Sequence, residues 1–222
     1  MLIEKLLIVI FSIISVSESY ILRKYLKSFA ESKLIKPDCT GICPKPYDIK
    51  VYTDQALKAK LKECGYTEGT DIFNFALSAI KKHNLYRACH NAQPLMLNCE
   101  LSQIAQNHSQ YYSENNKINN SFCHYNGQLI SGQLTKFNKK TITGEAFTEG
   151  LYEKIIYYNF NNPENSTISS RSFAQLVWKN AEELGIGFVG KNGECIIGIY
   201  YFPPMPMPFS NLYLSQVQEL QY

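Results

Sequence analysis

Four histidines and seven cysteines carry the sharpest chemistry in this chain, and their spacing limits what they can do. His83 shares a helical period with Asn84 and Arg87, but the sequence sets no nucleophile beside it, and covalent catalysis needs an activated nucleophile with a base in reach. Ser172 and His124 are candidate hydrolase partners without a third group to orient them. Cys39-x-x-x-Cys43 is half of a zinc pattern, and no second close pair or histidine pair completes the four ligands that a closed zinc site requires. His83, Asn84 and Arg87 on one helix face are therefore expected to form a hydrogen-bonded clasp onto neighbouring loops. Trp178 is expected in the core, because an indole buries a very large apolar area.

Leu6 to Val16 forms an apolar run near eleven residues, too short for the roughly 20 that span a bilayer, and small Ser15, Ser17 and Ser19 lie at its end. Residues 1–19 are accordingly expected to be a signal peptide and the mature protein to be secreted, with no transmembrane anchor. Export exposes Cys39, Cys43, Cys64, Cys89, Cys99, Cys123 and Cys195 to an oxidising compartment. Seven is odd, so three bridges and one unpaired thiol are the simplest count; Cys123 and Cys195 flank the expected sheet and are one candidate pair. Asn107, Asn119 and Asn165 open Asn-x-Ser/Thr glycosylation patterns. Loss of Glu4, Lys5 and Glu18 moves the formal charge from +3 to +4, without a basic stripe interleaved with aromatics, so no nucleic-acid partner is expected.

Positioning these residues falls to a run of helices and a terminal hairpin. Residues 20–69 read as a Cys-containing extension with one helical pattern at Gln55 to Cys64. From Thr70 the apolar period becomes helical through Arg87; Asn98 can cap a second helix, a third runs from about Gly144 to Phe160, and a fourth from Ser170 to Asn180. Gln128 to Leu134 is strand-like. Leu184, Ile186 and Phe188 alternate as a half-buried strand, Cys195 to Phe202 is a more uniformly apolar one, and Asn192-Gly193 between them signals a hairpin turn. The fold class is α+β, a small antiparallel sheet flanked by helices, over residues 70–204, with 205–222 as a tail.

Several of these pieces, in this order, resemble the CAP superfamily (SCP/TAPS, venom-allergen-like proteins) over about residues 71 to 204. His83-Asn84-x-x-Arg87-x-x-His90 resembles its opening helix, Phe173-x-Gln175-x-Val177-Trp178 its signature helix, and Gly185-x-Gly187 with Tyr201-Phe202-Pro203-Pro204 its closing hairpin. The resemblance implies an α-β-α sandwich and a central cleft whose two His and two Glu can hold a divalent metal. The matching positions here are His124, Gln133, Lys154 and Ser172. Lys154 falls on the stripe of Phe147, Leu151 and Tyr158, whereas Glu153 is rotated about 100° away. Lys offers only donors and would repel a cation, so a degenerate cleft is expected, with no metal and no cofactor. The function expected is that of a secreted, non-enzymatic binding or modulatory protein whose partner is an extracellular protein or a lipid. A sterol or fatty-acid carrier and a cleft hydrolase are the alternatives.

Overall fold

Helices with side-chain N-caps build the first half of the structure, a computed structural model that describes residues 53–117, 124–126, 128–137, 142–207 and 210–220. Helix α1 (Asp54–Glu63) is capped by Thr53, whose hydroxyl accepts from Ala56 N. Helix α2 (Asp71–Cys89) is capped in the same way by Thr70. After strand β1 (Met96–Leu97), the Asn98 side chain accepts from Leu101 N and starts α3 (Cys99–Asn115). Each cap satisfies a backbone N–H that the first helical turn leaves free, worth about 1 kcal/mol.

Strands β2 (His124–Tyr125) and β3 (Gln128–Leu129) pair with each other, and β4 (Ser131–Phe137) follows. The strand expected over Gln128 to Leu134 is thus broken at Ile130 and shared between two sheets. Helix α4 (Gly144–Tyr152) ends eight residues before the expected Phe160. A 3-10 turn takes over at Glu153–Tyr157, and the Asn159 side chain then accepts from Asn161 N and Asn162 N, offering the backbone a turn in place of a helix. Helix α5 (Arg171–Leu176) is followed by the hairpin of β5 (Glu183–Lys191) and β6 (Glu194–Phe202), and by α6 (Tyr213–Gln216). At the hairpin turn Asn192 and Gly193 both have positive φ, 53° and 78°, as the sequence pattern requires.

The main sheet has the order β1-β5-β6-β4, with β1 parallel to β5 and the other pairs antiparallel, so β1 makes it mixed. Helices cover both faces. On one side α3 lies so close that a Cβ on Gly185 or Gly187 would sit 2.3 Å from the backbone of Leu101 or Ala105. Strand β5 is for that reason buried on both faces from Leu184 to Phe188 rather than half-buried. On the other side Phe188 packs on Phe75 of α2, and Phe137 packs on Phe147 of α4. The result is an α-β-α sandwich. Fully buried side chains such as Phe73, Ile186, Ile199 and Phe173 contribute roughly 1.5–3 kcal/mol each to its core.

Elements outside the expected 70–204 span also pack here. Leu57 and Leu61 of α1 are buried, and Cys64 is bonded to Cys99 at the start of α3. Tyr213 and Val217 are buried, and the Tyr213 ring meets Trp178 at 4.8 Å. Among the described residues no helix is long and apolar enough to cross a membrane. The expected signal peptide, and the extension as far as residue 52, lie outside the described residues.

The glycine contacts are testable by denaturation in urea. Gly187→Ala forces a methyl onto the Ala105 carbonyl and is expected to cost about 3 kcal/mol or to abolish folding. Gly150→Ala, in α4 with nothing within 4 Å, is expected to gain about 0.5–1 kcal/mol. Equal effects at the two sites would contradict the close approach of α3 to the sheet.

Candidate functional site

Arg87, on the buried face of α2, is fully shielded from solvent. Its Nε donates to Gln93 O (2.6 Å), its Nη1 to Leu176 O (3.0 Å) and Trp178 O (2.9 Å), and its Nη2 to Ala181 O (2.7 Å). Burial lowers its pKa to about 9, so it stays charged at neutral pH, among carbonyl dipoles alone. The Leu176 carbonyl points to the guanidinium instead of receiving the next helical N–H group, and the Trp178 carbonyl is shared between the guanidinium and the Ala181 N–H. That ends α5 at Leu176, short of the expected Asn180, and Asn180 N is taken by the Gln216 side chain. Asn84 closes the same clasp on the β1 approach, donating to Leu95 O and accepting from Leu95 N.

His83 is buried one turn earlier. Its Nδ1 lies 2.7 Å from Ala79 O, which can only accept, so Nδ1 carries the proton and Nε2 accepts from the Tyr201 hydroxyl at 2.9 Å. His90 repeats the pattern: Nδ1 donates to Gln218 O (2.5 Å) and Nε2 accepts from Tyr152 OH (3.0 Å). His108 pairs with the Tyr200 hydroxyl beneath α3. Three of the four histidines are thus buried and hold the scaffold together. For His83 and Arg87 the helical period announced a shared buried face; the partners of His90 and His108 are distant in sequence and carried no local signal.

Next to this scaffold, β4 and α5 face each other across a cavity of about 320 Å³. Ser131 and Gln133 alternate onto one side of β4, at the register positions opposite Tyr201 and Ile199. Ser172 and Gln175, three apart, share one side of α5. The two rows interlock: Ser172 Oγ donates to Gln133 Oε1 at 3.1 Å, and Ser131 Oγ donates to Gln175 Oε1. Arg171, Ile130, Gly132, Tyr201, Met205 and Met207 complete the lining. Arg171 stands four residues before Gln175, a helical spacing that the sequence displayed, whereas nothing in the Pro-rich run singled out Met205 or Met207.

Of the four cleft positions, then, Gln133 and Ser172 meet. His124, on β2, is exposed and does not line the cavity. Lys154 also stays outside it: the change from α-helix to 3-10 turn at Glu153 breaks the stripe, leaving both Glu153 and Lys154 exposed. An amide and a hydroxyl already bonded to each other do not fit zinc, which takes imidazole, thiolate or carboxylate ligands. Among the described residues no group of three or more His, Cys, Asp or Glu side chains could hold a metal ion.

Cysteine pairing differs from one expectation. Cys195, opposite Phe137 and Gly190 in the sheet, is a buried free thiol, so the candidate Cys123–Cys195 pair does not form. Its thiol lies in the core, where burial raises its pKa. Cys89 is disulfide-bonded, with its partner outside the described residues, where Cys39, Cys43 and Cys123 also lie. Of the glycosylation candidates, Asn165 is exposed, Asn107 is exposed on α3 while its Ser109 is buried, and Asn119 lies outside the described residues.

A mixed sheet between two helical layers, stitched by an arginine to the end of a short helix that borders a central cavity, defines an α-β-α sandwich of the CAP type. The chain belongs to the Cysteine-rich secretory protein (CAP) family, whose sequence profile matches residues 80–201. It is 29% identical over 130 residues to human Golgi-associated plant pathogenesis-related protein 1, covering 58% of this chain and 82% of that protein. It is 30% identical over 122 residues to Protein PRY2 of Saccharomyces cerevisiae, covering 54% of this chain and 34% of that one, so the match spans about a third of the yeast protein. The structure of Schistosoma mansoni venom allergen-like protein 4 aligns with a TM-score of 0.47 at 21% identity, covering 65% of this chain and 97% of that one.

The buried histidines predict a pH dependence. Burial lowers His83 and His90 to about 4, against about 6.5 in an unfolded chain. Between those values the unfolded chain binds protons that the folded one refuses. Stability is therefore fully present above pH 6.5 and falls as pH drops towards 4, by roughly 3 kcal/mol per histidine. Urea midpoints measured from pH 7 to pH 4 should fall accordingly, and His83→Gln should flatten the slope; a flat wild-type profile would contradict the neutral buried pairs.

Proposed function

We propose that this protein is a non-enzymatic binding protein of the secretory or extracellular space, which holds its ligand in the β4–α5 cavity by hydrogen bonds and without a metal. The observation that carries this reading is the composition of the cavity wall. It holds Ser131, Gln133, Arg171, Ser172, Gln175 and Tyr201, but no His, Cys, Asp or Glu. Metal-hydroxide chemistry needs such groups, and the one wall residue that could act as a general base, Tyr201, is held protonated by burial, its hydroxyl bonded to His83. The Ser172 hydroxyl donates to an amide oxygen, which is no base and does not activate it.

Other features support the compartment. The Cys64–Cys99 bridge and the additional bonded Cys89 suit an oxidising environment, and the amino-terminal apolar run suits export. The Golgi association in the name of the human relative agrees with passage through that pathway. A cavity of about 320 Å³ with six polar side chains suits a small polar ligand better than a sterol or a long acyl chain, being at the lower end of the roughly 300–1,000 Å³ of small-molecule sites.

Calorimetric titration with zinc, paired with hydrolysis assays on ester and peptide substrates, tests this function. The expected result is no saturable zinc binding below about micromolar concentrations, and no turnover above that of Ser172→Ala. Tight zinc binding abolished by Gln133→Ala, or turnover abolished by Ser172→Ala, would contradict it.

A further inference from the structure

We infer that Asn165 carries an N-linked oligosaccharide whose first sugars lie over Ile156, Tyr157 and Ile168, an apolar patch that the fold leaves open. This rests on the reading of the protein as one of the secretory or extracellular space, and it names a modification and the surface that the modification covers.

The patch comes from two short turns. The 3-10 turns at Glu153–Tyr157 and Ile168–Ser170 pack on each other, and Thr167 N donates to Tyr157 O at 3.3 Å. Tyr158 and Ser170 beside them are buried, while Ile156, Tyr157 and Ile168 are 55%, 44% and 69% exposed. Single exposed apolar side chains are ordinary on a protein surface, whereas three together mark a surface that meets something. The exposed charges on this stretch, Glu153, Lys154 and Glu164, are of both signs. The patch therefore has no one-sided field to draw in an anionic lipid surface or a strongly charged partner.

The occupant is set by what can be attached three residues before Ile168. Asn165 ends a third 3-10 turn, Pro163–Asn165, which buried Pro163 holds down, and Asn165 itself is exposed. Asn165-Ser166-Thr167 satisfies the acceptor pattern. After Asn165 the backbone is extended, with ψ of 146° at Ser166 and 156° at Thr167, and Thr167 is exposed too. The Asn107 triplet lacks this presentation: it lies inside α3, its amide oxygen accepts from Gln103 Nε2, and Ser109 Oγ is buried and donates to Ala105 O. Transfer from a lipid-diphosphate-linked oligosaccharide forms a bond between the Asn165 amide nitrogen and the sugar C1. It breaks the bond from C1 to the diphosphate oxygen, so that the lipid diphosphate leaves and the amide nitrogen loses one proton. Because Thr167 is bonded to Tyr157, the first sugar starts beside that ring, and its C–H face and N-acetyl methyl can rest on Tyr157 and the two isoleucines.

Peptide mapping and intact mass of the full chain secreted from eukaryotic cells, before and after peptide-N-glycosidase, test both parts. A glycan mass is expected on Asn165, lost in Thr167→Ala and kept in Thr167→Ser, which restores the hydroxyl. Enzymatic removal of the glycan from the folded protein should raise the fluorescence of an apolar dye at least about twofold. It should no longer do so when Tyr157→Ser and Ile168→Ser, both on exposed side chains, are combined. Secreted protein with Asn165 unmodified would overturn the inference and leave the secretory reading standing, while retention of the unmodified chain in the cytosol would overturn both. A glycan on Asn165 whose removal leaves the dye fluorescence unchanged would overturn the covering of the patch.

Discussion

Arg87 is the interaction on which the rest of the structure depends. A guanidinium with no solvent and no carboxylate partner is tolerable only where several carbonyls converge on it, and here four do, from Gln93, Leu176, Trp178 and Ala181. Those carbonyls belong to the approach to β1, the end of α5 and the approach to β5. One side chain thus fixes where the signature helix stops, where the hairpin begins and how both sit against α2. The cavity wall on α5 inherits its position from that bond set, because Ser172 and Gln175 lie within two turns of it.

Against that scaffold, the cavity wall is built from groups that bond to each other. Gln133 and Ser172 form a bridge across two elements, in which the amide oxygen and the hydroxyl proton satisfy one another. The second bridge, Ser131 to Gln175, leaves one donor open. Opposite the cavity, the glycines of β5 and β6 let α3 press onto the sheet.

Much of the fold was legible because its determinants are local. Asn98 as a cap, Asn192-Gly193 as a turn and the period from Ile72 to Arg87 act through neighbours in sequence, and each leads to the element observed. Where the determinant is distant, the reading failed. Helix α5 is cut short by an arginine some ninety residues away, β5 is buried on both faces because a helix occupies the space above its glycines, and β1 exists only through its pairing with β5. Lys154 shows the same limit at the site. Its place on a helical stripe presumed that the helix continues, and the turn at Glu153 removed it. Ser131 and Arg171 had visible spacings from Gln133 and Gln175, yet only the facing of β4 and α5 makes those spacings matter.

We propose that the cavity holds an organic ligand through hydrogen bonds and no metal, and mass spectrometry of the natively produced protein, compared under native and denaturing conditions, is the decisive experiment. The expected result is a small organic mass that is released on denaturation, with no increment for a divalent metal. A stoichiometric metal increment, removed by a chelator and lost in Gln133→Ala, would contradict it.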